Sequence, residues 1–194
     1  MNRYRKLASK LSSLIIIFSL TLSGLQPVSV AAQSADGIKR QFNAESGRIS
    51  FIGPDGGRVL AAAKVLGTSI RPTDPAMALA KRFAPEFGLR NPESELSEMK
   101  ASRPESGLVT VRYQQNYRGI PVMGGELIVN TNQSGDLYSV NGEVSSNLSL
   151  LTQPTIDSAQ ASDSALQAMA KQYQKAPSDF TVSEPALRIF DESL

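Results

Sequence analysis

Between Gly107 and Val144 the chain changes character every second residue, and this period constrains the fold more than any other feature. Val109, Val111, Tyr113 and Tyr117 alternate with Thr110, Arg112, Gln114 and Asn116, the pattern of a strand with one buried and one wet face. A break at Arg118-Gly119-Ile120-Pro121 leads into a second strand, Val122 to Thr131. The loop Asn132-Gln133-Ser134-Gly135-Asp136 then opens a third, Leu137 to Val144. Three strands joined by short turns predict an antiparallel meander, whose apolar face needs a cover.

The cover is legible just upstream. Asp74 is a good N-cap, Pro75 suits the first helical position, and Gly88 suits the residue after the last turn. Met77, Leu79, Ala80, Phe83, Ala84 and Phe87 form a helical apolar stripe. Pro85 is expected to tighten or end the last turn. Further upstream, Ile38 to Ile52 reads as a hairpin about Glu45-Ser46-Gly47. Gly53-Pro54-Asp55-Gly56-Gly57 reads as a connector, since it lacks the Gly-Lys-Ser/Thr ending of a phosphate loop.

Beyond the meander, Ser145 to Thr155 reads as a linker. A second unit begins at Asp157 or Ser158 with a helix carrying Ala161, Ala165, Leu166, Ala168, Met169 and Tyr173; Pro177 closes it, and Thr181 to Phe190 reads as extended. A helix and one strand bury little of their own apolar surface, so this unit is expected to be the start of something larger. The expected organisation is a leader at 1–32, an N-terminal hairpin segment at 33–72, a helix-on-meander domain at 73–145, a linker at 146–156 and an incomplete α+β unit at 157–194.

The leader has the three parts of an export signal. Arg3, Arg5, Lys6 and Lys10 make a basic start, Leu11 to Leu25 an apolar run, and Val30-Ala31-Ala32 a small-residue site that predicts cleavage between Ala32 and Gln33. The apolar run is short for a spanning helix, so contact with the membrane is expected only during export, with a secreted, extracellular product. Removing the leader takes four basic residues and no acid, leaving 16 Lys+Arg against 18 Asp+Glu. The clustered cations that draw nucleic acid are then absent.

The chain contains no cysteine and no histidine. An exported chain without cysteine must rest on an apolar core. Without histidine there is no Ser-His-Asp or Cys-His arrangement, and an ordinary zinc site cannot be built. No catalytic or metal-ligating residue and no cofactor is therefore expected in these residues.

Other constellations have plainer explanations. Ser97-Glu98-Met99-Lys100 fits S-x-x-K, but the partner motifs S-D-N and K-T-G are missing, so a polar surface segment is expected. Glu93, Glu95 and Glu98 with Lys100 and Arg103 read as a solvated mixed-charge face. Asn132-Gln133-Ser134 and Asn147-Leu148-Ser149 fit the glycosylation sequon.

The stretch VRYQQNYRGIPVMGGE, Val111 to Glu126, resembles the signature of the fungalysin/thermolysin propeptide (FTP) domain. Arg112, Tyr113, Gln114, Gln115, Tyr117, Gly119, Pro121, Val122, Gly124, Gly125 and Glu126 stand in matching places, with Gly135, Asn141 and Gly142 later, and the likeness covers roughly Asp74 to Val144. The unit from 157 is similar to the start of a PepSY domain. The resemblance implies a propeptide that assists folding of a zinc metalloprotease domain and inhibits it until removed. The protease domain would be the partner, in cis if this chain is a fragment of a precursor, and in trans if it is a free-standing binding or inhibitory protein; the ending inside the second unit favours the fragment. Zinc and calcium, by the same resemblance, would belong to the protease domain and not to this chain. Arg112, Tyr113, Gln115, Tyr117, Gly119, Pro121, Val122, Gly124, Gly125 and Gly142 are then the candidates for structural or partner-contact roles. Glycines in strands first suggest bulges or close backbone approach; the sheet surface around Gln115 and Tyr117 is a candidate docking face.

Overall fold

The computed structural model describes residues 36–69, 72–105 and 107–194; the expected leader and its cleavage site at Ala32 and Gln33 lie outside them. Six strands make one antiparallel sheet: β1 (Ile38–Phe42), β2 (Ile49–Pro54), β3 (Leu96–Ser102), β4 (Leu108–Tyr117), β5 (Ile120–Asn132) and β6 (Leu137–Glu143), in the spatial order β1-β2-β6-β5-β4-β3. The architecture is α+β, and the expected meander forms its centre as β4, β5 and β6. The expected N-terminal hairpin also forms, and β2 joins the same sheet through Phe51↔Asn141 and Ile52↔Val140.

One long helix, α2 (Pro75–Phe87), follows a short α1 (Ala62–Leu66) and packs on β5, β6 and β2. Asp74 caps α2, its carboxylate accepting from the Met77 N–H at 3.0 Å. Ala76, Leu79, Ala80, Phe83, Ala84 and Phe87 are buried against Ile52, Val111, Tyr113, Leu127, Val129, Leu137 and Val140. Each large apolar side chain fully removed from water here stabilises the fold by about 1.5–3 kcal/mol. Pro85 does not end the helix, which continues to Phe87. It tightens the last turn instead: the Gly88 N–H reaches both Ala84 O and Pro85 O at 3.1 Å, and Gly88 takes φ 114°. The hairpin is clamped to α2 by Arg40, whose guanidinium grips Glu86 at 2.6 and 3.1 Å.

Three expectations need revision. The polar stretch around Ser97 is at the surface, but as the edge strand β3, preceded by the one-turn α3 (Pro92–Glu95) and anchored by buried Leu96. On an extended strand Ser97 and Lys100 are about 10 Å apart along the chain, which removes the one-turn proximity that S-x-x-K chemistry needs. Ile120 and Pro121 belong to β5 and not to the turn, because Arg118 and Gly119 (φ 52° and 81°) complete a two-residue reversal by themselves. Ser145 is no free linker residue: it and Val144 are buried, at 2% and 1% exposure.

The expected second helix is present as α4 (Ser158–Tyr173), opened by a capping box between Asp157 and Gln160. Only Ala170 on it is buried. Ala165, Ala168, Met169 and Tyr173 are exposed, and the helix packs chiefly on the 3-10 turn Pro177–Asp179, with the Tyr173 ring 6.1 Å from that of Phe180. Thr181 to Phe190 forms no named strand. Its link to the sheet is a parallel bridge from Ile189 to Val122.

Candidate functional site

The signature residues meet where β4 and β5 lose register. Tyr117 pairs with Ile120 and Asn116 with Pro121, yet Gln114 pairs with Glu126. Val122, Met123, Gly124 and Gly125 therefore oppose Gln115 alone, an enlarged bulge of the kind that bends a strand and re-aims its edge. Gln114 holds the bulge together: its amide nitrogen lies 2.7 Å from Val122 O and 2.9 Å from Gly125 O. Gly124 turns the chain at φ 77°. Gly125 leaves room for the neighbouring glutamine, since a Cβ there would lie 2.6 Å from Gln115 Oε1 and 3.0 Å from its Cβ.

Gln115 points the other way, into the fold. It is 2% exposed, its Nε2 donates to Ser145 O at 2.7 Å, and its Oε1 accepts from the Ser145 N–H at 2.8 Å. A side chain so placed anchors the chain leaving β6 and is withdrawn from the sheet surface. The Ser145 hydroxyl in turn donates to Asp191 at 2.6 Å. Asp191 also accepts from the Ser193 hydroxyl and N–H at 2.7 and 2.9 Å. These hydrogen bonds from Ser145 and Ser193 hold its carboxyl down at about 2.

The outer edge of the bulge receives the same segment. Ile189 donates its N–H to Pro121 O at 2.9 Å and accepts from the Met123 N–H at 2.8 Å. Val122 between them is completely buried, and Gly125 is buried too. Pro121 has no N–H of its own to leave unpaired, and its carbonyl is what the segment binds.

The remaining candidates surround this platform. Gly142 lies opposite Leu127 at φ 144°, and a Cβ there would collide with the Glu126 carbonyl. Arg112 and Glu126 pair at 2.7 Å on the open face. Tyr117 is half-buried, with the Arg118 guanidinium 5.3 Å above its ring. Tyr113 is fully buried, and its hydroxyl has no hydrogen-bond partner; burial pushes its ionisation well above the ordinary range. Thus Gln115, Pro121, Val122, Gly124 and Gly125 converge on one structure, Gly119 makes the turn that leads into it, and Tyr113 belongs to the core beneath α2.

Gln114, Ser145 and Asp191 were not singled out from sequence. Gln114 is among the matching residues, but the alternation places it on the wet face. Ser145 lay in an expected linker, and nothing in the spacing ties Asp191 to it. Chemically the site offers amides, hydroxyls and backbone groups suited to holding an extended chain. A separate cavity of about 330 Å³ at the start of α2, lined by Asp74, Arg103, Val109, Thr131 and Asn132, lies apart from the bulge. Among the described residues no group of three or more acids could hold a metal ion, and no helix is long and apolar enough to cross a membrane.

Residues 94–144 match the family model described as Fungalysin/Thermolysin Propeptide Motif. The match runs from α3 through β6, starting later than the region from Asp74 read in the sequence, and covers about a quarter of the chain. No curated protein matches the chain.

Proposed function

We propose that this chain is the propeptide region of an exported, thermolysin-like zinc metalloprotease precursor, acting through surface contacts as folding assistant and inhibitor of the catalytic domain. The observation that carries the proposal is the propeptide-motif match at 94–144. It falls on the segment where Gln114, Pro121, Val122 and Gly125 build a platform for an extended chain. A folding assistant needs a stable complementary surface and no reactive group of its own.

In this reading residues 1–32 are the export signal, cut after Ala32; 73–145 is the propeptide-motif domain with 33–72 as its N-terminal hairpin segment; and 157–194 begins a PepSY-like unit after the linker. The zinc is held by the protease domain. The released product is extracellular.

The test uses the chain with a thermolysin-like metalloendopeptidase. Hydrolysis of a fluorogenic peptide is followed as the chain is titrated in, and recovery of activity from denaturant-unfolded protease is compared with and without it. Saturable inhibition, or a higher yield of refolded enzyme, is expected. Neither effect across a panel of such proteases, or peptide cleavage by the chain alone, would overturn the proposal.

A further inference from the structure

The cavity at the start of α2 is lined by two opposite charges that do not meet. Asp74 and Arg103 share it with the apolar groups of Pro75, Ala76, Val109 and Val111. Both charged residues are exposed, and among the described residues no ion pair joins Arg103 to Asp74 or to any other acid. One carboxylate oxygen of Asp74 caps α2 through the Met77 N–H; the other makes no hydrogen bond among the described residues. The first N–H groups of a helix have no partner inside it and carry the positive end of its dipole, so Ala76 adds partial positive charge to the side of Arg103 in the balance.

A buried hydroxyl opens on the same space. Thr131 lines the cavity, is only 2% exposed, and its side chain makes no hydrogen bond among the described residues. Buried polar groups are as a rule paired. Among the described residues the Tyr113 hydroxyl is the one polar side-chain atom both sealed from solvent and unpaired, so the unpaired Thr131 hydroxyl is reached from the cavity. The volume of about 330 Å³ is at the small end of the ~300–1,000 Å³ of small-molecule sites, too little for a long peptide. A simple anion would meet the Asp74 carboxylate, and a simple cation would meet Arg103 and the helix dipole. A molecule carrying both charges satisfies both ends, and Val109 and Val111 suit an aliphatic side chain.

We propose that this cavity binds a small aliphatic zwitterion, of amino-acid to dipeptide size. Its carboxylate is held by Arg103 and the first turn of α2, its ammonium faces Asp74, its side chain packs on Val109 and Val111, and the Thr131 hydroxyl gains a hydrogen bond from its polar backbone. This goes beyond the propeptide reading and is independent of it, because binding is measured with no protease present.

The test is titration of the isotope-labelled full chain with L-leucine and with L-alanyl-L-leucine, followed by amide NMR shifts, with circular dichroism confirming that each variant is folded. Saturable shifts at Ala76, Thr131 and Gln133 are expected, and the tighter of the two ligands sets the preferred size. N-acetyl-L-leucine, which lacks the ammonium, and L-leucinamide, which lacks the carboxylate, should each bind at least about tenfold more weakly. Arg103→Gln should weaken binding about tenfold. Asp74→Asn should do the same while keeping the helix cap. Thr131→Val should weaken binding and Thr131→Ser should retain it, which separates loss of the hydroxyl from disturbed packing. No saturable shift from either ligand at about 10 mM, blocked compounds that bind as tightly as the zwitterions, or an Arg103→Gln chain of unchanged affinity would overturn the proposal.

Discussion

Replacing Gln115 by alanine strips the Ser145 backbone of both its partners at a residue only 2% exposed. A buried donor or acceptor left unpaired costs about 1–3 kcal/mol, and one buried methylene is lost as well, at about 0.8 kcal/mol. Partial entry of water lowers the total, so the expected loss is about 3–5 kcal/mol, a large part of the roughly 5–15 kcal/mol that holds a domain together. In thermal unfolding this is a fall of roughly 10 °C or more. The effect should also spread along the hydrogen-bonded path from Gln115 through Ser145 to Asp191. The Ile189 and Met123 amides, which join the last segment to the bulge, should lose protection from hydrogen exchange at lower denaturant than those of β4. Ser145→Ala supplies the contrast, since it keeps the backbone pairing with Gln115 and deletes only the hydroxyl bond to Asp191. Urea titration with residue-resolved exchange makes the comparison. A loss below about 1 kcal/mol for Gln115→Ala, or equal behaviour of the two variants, would refute the reasoning.

Gly142→Ala should cost more than about 3 kcal/mol, because a side chain at φ 144° is strained and its Cβ strikes the Glu126 backbone inside a paired ladder; a denaturant midpoint measures it. Asp74→Ala removes the cap of α2 and should cost about 1 kcal/mol in the same assay. Asp191 has a depressed pKa, so its contribution to docking of the last segment is complete above the ordinary value of 3.8 and fades as pH falls toward about 2. Protection of the Ile189 amide, taken relative to its intrinsic exchange rate at each pH, should fall across that window, and Asp191→Asn should flatten the profile.

The central sheet was readable because its strands alternate cleanly and its turns carry glycine, and α2 because cap, proline and stripe agree. β3 was hidden by its edge position. With little of it facing the core, Ser97, Glu98 and Lys100 are free to be polar, and its sequence reads as a surface loop. Gln115 broke the alternation as a polar residue at an inward position, and that departure was the available sign of the platform. Its partner Ser145 could not be found from spacing, because the pair is set by tertiary approach across the sheet. Gly125 and Gly142 sit where a side chain or backbone approaches closely, Gly124 where the bulge needs a positive φ, and which neighbour meets each is a matter of register.

The N-terminal hairpin carries a consequence for timing. A chain made from its N-terminus presents Ile38 to Pro54 early, but the hairpin joins the sheet only by pairing Phe51 and Ile52 with Asn141 and Val140, which emerge much later. The two strands can close on themselves through Asn43, whose side chain organises their turn, yet a lone hairpin is marginal in water. Its apolar face, with Ile38 and Ile52, must wait for the helix and for β6. Assembly of the sheet is therefore gated by its last-made strand, and a chain interrupted before Val140 carries a hairpin with nowhere to dock.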